Sequence, residues 1–191
     1  PANVGGDLRL ATFNVLNYFP TTGDQLTGCT FYTDRDGNKI TVNSGCDARG
    51  AAAATNLKRQ QDKIVAAINA LTADVVSLEE IENSKRFGLD RDDALKTLVA
   101  ALNTAAGSEV WAFVPSPATV PSSEDVIRTA FIYKKAVAAP VGASKILDDA
   151  AFSNARQPLA QAFKKVGAQD SSAFIAIVNH FKSKGSGTGA D

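Results

Sequence analysis

The sequence predicts an α/β fold in which a mixed β-sheet carries helices on one face. Three observations lead there. Short apolar runs alternate with amphipathic stretches through the first half of the chain, and a succession of strand-like runs with short turns follows. Strand, helix, strand, helix calls for parallel pairing through right-handed crossovers, and the later run for an antiparallel meander. Composition is that of a globular chain: 45% hydrophobic and 21% charged over 191 residues, which suits one core and excludes a disordered or fibrous chain.

The elements can be justified in order. "DLRLATFNVLNYF" reads as a buried strand from Leu8 to Asn14 with a polar end. Residues 20–50 form a long insertion, in which "TDRDGNKI" has the turn chemistry of a hairpin at Asp36-Gly37. A calcium loop is the competing reading, but Gly37 comes two positions too early relative to Asp34. Cys29 and Cys46 flank this hairpin in a polar segment with no histidine to complete a zinc site. A disulfide is more economical than free thiols there, worth roughly 3 kcal/mol in the chain-entropy model, and it implies an oxidising compartment.

"NLKRQQDKIVAAINAL" places Leu57, Ile64, Val65, Ile68 and Leu71 on one helical face, with Thr55 or Asn56 as the expected cap. "ADVVSLEEIEN" is a second buried strand, Val75 to Leu78, ending in carboxylates. "DRDDALKTLVAALN" is a second amphipathic helix with Asp90, Asp92 and Asp93 at its positive N-terminus. Strand-like runs then cover residues 110–114, 126–133, 141–147, 159–166 and 173–178. A sheet built from them has a second apolar face that no remaining helix pattern can cover, so self-association or a second fragment is expected on it.

Lys+Arg and Asp+Glu are 20 each, so net charge does not point to nucleic acid, and any attraction must come from a local patch. No apolar stretch approaches the roughly 20 residues of a spanning helix, which predicts a soluble chain without a membrane partner. No signal peptide is seen at Pro1-Ala2, as in a mature secreted protein or equally a trimmed chain.

The chemistry sits at strand ends. Glu79, Glu80 and Glu82 lie where the second strand leaves the core, and alternation puts Glu80 on the face of Leu78. A parallel crossover sets Asn14 beside them, and carboxyl ends of such sheets are where ligands bind. A carboxylate with an amide oxygen suits a hard divalent cation. His180, the chain's one histidine, ends the last strand and is the side chain suited to proton transfer near neutral pH. Arg156 precedes the strand opened by Pro158, where a guanidinium can grip phosphate in fork geometry or make a surface ion pair.

Taken together and in this order, "LRLATFNVLNYF", "ADVVSLEEIEN", "DVIRTAFIYKK", "FSNARQPLAQAF" and "IAIVNHFKSKGSG" resemble the endonuclease/exonuclease/phosphatase superfamily. The cysteine-bearing insertion, "EIEN" and "NHFKSKG" are most similar to secreted bacterial extracellular nucleases. The resemblance implies a four-layer α/β sandwich of two similar halves, of which residues 1–191 are the N-terminal portion of the one domain, with the second half absent. It implies a magnesium or manganese ion and attack of water on a phosphodiester of DNA, with RNA as a further substrate. Residue by residue, it implies that Glu80 and Asn14 hold the metal, that Glu80 and His180 are catalytic, and that Arg156 and Arg128 bind phosphate. Tyr133 shares the strand of Arg128 without a defined role. The glutamate that orients the histidine in pancreatic-type deoxyribonucleases is matched here by Ile127, with Asp125 two residues away, and Glu82 stands where those enzymes carry a DNA-contacting arginine. The family's Gly-Asp-x-Asn and Ser-Asp-His motifs do not occur in this sequence, so the parent is expected to be an extracellular nuclease and these residues alone inactive or nearly so. Lys182 and Lys184 suit a polyanion. Alternatives on the same scaffold are a phosphatase or lipid phosphodiesterase, or a non-catalytic binding module.

Overall fold

A computed structural model of the chain describes residues 5–153 and 155–182. Its elements are β1 (Leu10–Tyr18), β2 (Thr30–Thr33), β3 (Lys39–Ser44), α1 (Ala54–Leu71), β4 (Val75–Glu82), α2 (Asp93–Ala106), β5 (Trp111–Phe113), β6 (Ile127–Lys134), β7 (Ala138–Ile146), β8 (Leu159–Lys165) and β9 (Phe174–Val178). The fold is mixed α/β. Its main sheet has the order β1-β4-β6-β5, with β1 parallel to β4 and the other two pairings antiparallel.

Period-2 alternation decides which side chain of the main sheet faces which layer. Val76, Leu78, Ala130 and Ile132 pack against Ile64 and Ile68 of α1 and Leu95, Leu98 and Leu102 of α2. Their neighbours Val75 and Phe131 point the other way, onto Leu159, Phe163 and Val178. That second side is therefore covered, contrary to the bare face expected from the sequence. The cover is a separate antiparallel sheet, β7-β8-β9. β4 and β5 already occupy both edges of β6, so the chain beyond Lys134 has no edge of β6 to join and folds across its face instead. One layer further out, Ile175 and Ile177 are 70% and 60% exposed among the described residues.

The insertion forms the antiparallel β2–β3 hairpin, with Gly37 at a positive φ of 84° in its turn. Asp34 closes that turn by accepting from the backbone N–H groups of Asp36 and Asn38. Cys29 and Cys46 are joined by a disulfide and pack in a third cluster around Phe19, Val42 and Ile127. Neither Thr55 nor Asn56 caps α1. The helix begins at Ala54 with Ala53 at the N-cap and no side-chain cap bond. Its entry is fixed instead by Ala52 N–H donating to Ile40 O at 3.2 Å, which ties the helix start to the hairpin. At α2 the N-cap is Asp92, with Asp93 in the first turn, the placement of negative charge that the helix dipole favours.

Candidate active site

β1 and β4 run parallel, so their carboxyl ends share one rim. Both strands lose regular register there, between Asn14 and Tyr18 and between Leu78 and Ile81. Leu16, Asn17 and Glu80 adopt positive φ values of 53°, 53° and 65°. Such angles are uncommon for residues other than glycine and cost ~1–3 kcal/mol each. Neighbouring groups hold the bend. The Gln60 amide of α1 donates to Leu16 O at 2.7 Å, with Val15 O at 3.2 Å and Asn17 O at 3.3 Å from the same nitrogen. Gly50 lets the returning insertion pass close by: a Cβ there would lie 2.8 Å from Asn17 O and 2.6 Å from Phe19 Cβ.

The bulge in β4 separates three carboxylates that look alike in the sequence. Leu78 and Ile81, three apart, both enter the helix-side core, so strict alternation fails between them and cannot place Glu80. Glu79 is buried, accepting from Thr12 Oγ1 at 2.7 Å, and its burial raises its pKa. Glu82 is fully buried and accepts from Thr21 N–H at 2.9 Å and Ser84 Oγ at 2.6 Å. It anchors the start of the insertion and presents nothing to a ligand. Only Glu80 turns to the rim, where its Oε2 accepts from Asn17 N–H at 3.1 Å.

His180 follows β9, in the other sheet. Its Nε2 lies 3.4 Å from Glu80 Oε1, with both side chains mostly but not wholly covered. Burial and then the positive charge of Arg156 lower the imidazole pKa below 6.5, and Glu80 and Asp125 oppose them. The neutral form, able to accept a proton, is therefore the one present at neutral pH.

Arg156 approaches from the segment before β8, its Nε 3.4 Å from Asp125 Oδ2. Asp125 also takes both guanidinium nitrogens of Arg49, at 3.2 and 2.8 Å. Its carboxylate is thus engaged with two arginines and acts on His180 through charge alone, while the imidazole Nδ1 is buried with no hydrogen-bond partner among the described residues. Asn14 is exposed at the rim, opposite Glu79 in the ladder, and its Oδ1 accepts from Leu16 N–H at 2.8 Å.

Arg128 stands opposite Ile81 in the ladder and lines a small cavity with Asp125 and Arg156, but it is not open to phosphate. It is buried, with Nη2 donating to Asp92 Oδ1 at 2.8 Å and Arg91 O at 2.9 Å. Burial and neighbouring Arg91 push its pKa down to about 10, which leaves it cationic. Its charge neutralises the α2 cap instead. Tyr133 packs edge-on against Phe163 in the inter-sheet core. Lys182 is exposed beyond His180, and Lys184 lies outside the described residues.

The sequence reading missed Gln60 and Asn17. Nothing in a helix pattern marks Gln60 as an anchor, and Asn17 acts through its backbone, which any residue possesses.

For a magnesium or manganese ion, the donor chemistry fits in part. Such ions take one or two carboxylates and leave the other positions to water and substrate oxygens. Glu80 supplies one carboxylate, and Asn14 an amide oxygen with a second lone pair. Among the described residues no three of His, Cys, Asp or Glu converge as a metal cage.

No protein-family model and no curated protein matches the chain. Among the solved structures similar to it, two match over 61% of its length. One is ANGEL2, a 2′,3′-cyclic phosphatase, in complex with adenosine-2′,3′-vanadate, at 13% identity and a TM-score of 0.37. The other is a second crystal structure of ANGEL2, at 12% identity and 0.37. The chain spans about 30% of the length of ANGEL2 in these comparisons.

Proposed function

We propose that this chain carries part of the active site of a secreted, metal-dependent phosphodiesterase that hydrolyses nucleic acid, DNA first and RNA as well. The observation that supports it is the meeting of Glu80 and His180 at 3.4 Å from two different sheets, beside Arg156. A structural role alone does not call for a strained, positive-φ glutamate turned toward the chain's one imidazole.

Glu80 and Asn14 would hold the divalent ion, which when bound would neutralise charge on a phosphate oxygen. Arg156, fixed on one side by Asp125, keeps further N–H groups with which to hold a non-bridging phosphate oxygen. His180, kept neutral by burial and Arg156, takes or returns the proton that moves as water attacks phosphorus and the P–O ester bond breaks. The described residues bring the Glu80 carboxylate and one imidazole to the rim, and no second acid–base partner among them. Full turnover therefore belongs to the full-length parent, and residues 1–191 alone should be nearly inert. The disulfide fits an oxidising, extracellular setting.

The test is hydrolysis of plasmid, single-stranded RNA, sphingomyelin and bis-nitrophenyl phosphate by the full-length parent with magnesium or manganese. Nucleic-acid cleavage abolished by Glu80→Gln and by His180→Ala is expected. Cleavage of the lipid alone, or nucleic-acid cleavage indifferent to both substitutions, would overturn the reading.

A further inference from the structure

We propose that the groove between the β2–β3 hairpin and α1 binds a single strand of nucleic acid and leads it to Glu80 and His180. This rests on the nuclease reading for its destination, but not for its evidence. The groove encloses about 1000 Å³. Asn14 and Asn17 are in its lining, and the Asn17 N–H donates to Glu80. Tyr32 and Ile40 of the hairpin form one wall, and Arg59 and Lys63 of α1 form the other.

Charge makes the first argument. Acids and bases are equal in number in this chain, yet no aspartate or glutamate lines the groove, while Arg49, Arg59 and Lys63 do. Arg49 is held by Asp125. Arg59 and Lys63 are one helical turn apart, which places them on the same face. Both are exposed, and neither joins an ion pair among the described residues, whereas Lys58 just outside the groove is paired with Asp62 at 2.6 Å. Arg59 acts through space on Asp34 at the hairpin turn. Asp34 oxygens are already committed to Asp36 and Asn38.

Apolar exposure makes the second. Tyr32 is 56% exposed, Ile40 38% and Leu16 74%, all of them lining a groove with cations opposite. Leu16 is turned outward by the bend that Gln60 holds. An aromatic ring and aliphatic surface facing a row of free cations is what an unpaired strand requires, with its bases to stack and its phosphates to neutralise. A duplex hides its base faces and would leave this apolar wall unused.

The experiment measures fluorescence anisotropy of a labelled oligothymidylate of about twelve nucleotides, with EDTA present so that nothing is cleaved. The Arg59→Ala/Lys63→Ala variant is compared with Lys58→Ala/Lys165→Ala, which removes equal charge elsewhere, and thermal unfolding checks that both fold. Each lost phosphate contact removes ~0.7 from the slope of log affinity against log salt. The groove variant should therefore lose about 1.4 in slope and about 25-fold in affinity near 0.1 M salt. Tyr32→Ala should weaken binding several-fold with the slope unchanged. Equal losses in the two double variants, tighter binding of the matching duplex, or equal competition by polyglutamate would overturn the proposal. Because no metal is present, a catalytically dead site with intact groove binding sinks only the phosphodiesterase reading. Cleavage that depends on Glu80 but is untouched by the groove variants sinks only this one.

Discussion

Gln60→Leu tests whether α1 shapes the candidate site. The Gln60 amide reaches three successive carbonyls, at 2.7 Å for Leu16 and 3.2 and 3.3 Å for Val15 and Asn17. An NH₂ group has two hydrogens, so the three contacts amount to one good hydrogen bond and one shared weak one. At about 1 kcal/mol net for the good bond and a fraction for the other, their loss should destabilise the fold by about 1–1.5 kcal/mol. For a chain of this size that lowers Tm by roughly 3–5 °C. The second effect is local. Without its anchor the bend at Leu16 and Asn17 can relax out of the left-handed region, which withdraws the Asn17 N–H from Glu80. Since the chain has one histidine, its imidazole proton resonance reports that change without ambiguity: the His180 signal should shift although Gln60 does not touch it. A Tm equal to that of the parent chain together with an unmoved His180 resonance would refute the reasoning.

Other expectations concern charge and covalent links. Arg128→Met should cost about 3–5 kcal/mol by stranding Asp92 in the interior, seen in denaturant unfolding. A stable variant with weakened phosphoester binding would instead restore Arg128 to the site. The His180 resonance should titrate with a midpoint below 6.5, move upward in Arg156→Gln and move further down in Glu80→Gln, following the causes of its shift. Because its folded pKa is lowered, the unfolded chain takes up the proton first. This contribution to stability is present above about pH 6.5 and is lost as pH falls through the folded value, so the unfolding midpoint should drop in mild acid, and less so in His180→Gln. Reducing Cys29–Cys46 should cost roughly 3 kcal/mol, read as a lowered Tm in the presence of a phosphine reductant.

Much of the element order is written locally. The apolar spacing of Ile64, Ile68, Leu95, Leu98 and Leu102 can serve only a helix, and the runs at Val75 and Val126 only buried strands. The division into two sheets is not local. It follows from β5 taking an edge of β6, a competition between segments that no single window contains. The helix cap was misread for a related reason, since the Ala52–Ile40 contact outweighs the capping preference of Thr55. At the site, polar residues at the ends of apolar runs mark Glu80 and His180, which lie 3.4 Å apart. Which of three glutamates faces outward depended on a bulge, and whether Arg128 faced a ligand or Asp92 depended on where α2 begins. Alternation carries neither fact.

The two ends of the hairpin insertion differ in how much change they can absorb. Around Gly37 at the tip there is open space, so a peptide grafted into that turn, or a longer loop in a relative, disturbs only solvent. Gly50 at the root has no such freedom, because a single added methyl group would press on Asn17 and Phe19. A library of insertion variants should therefore tolerate diversity at the tip while the root stays glycine, and a substitution at Gly50 would reach Glu80 from thirty residues away along the chain.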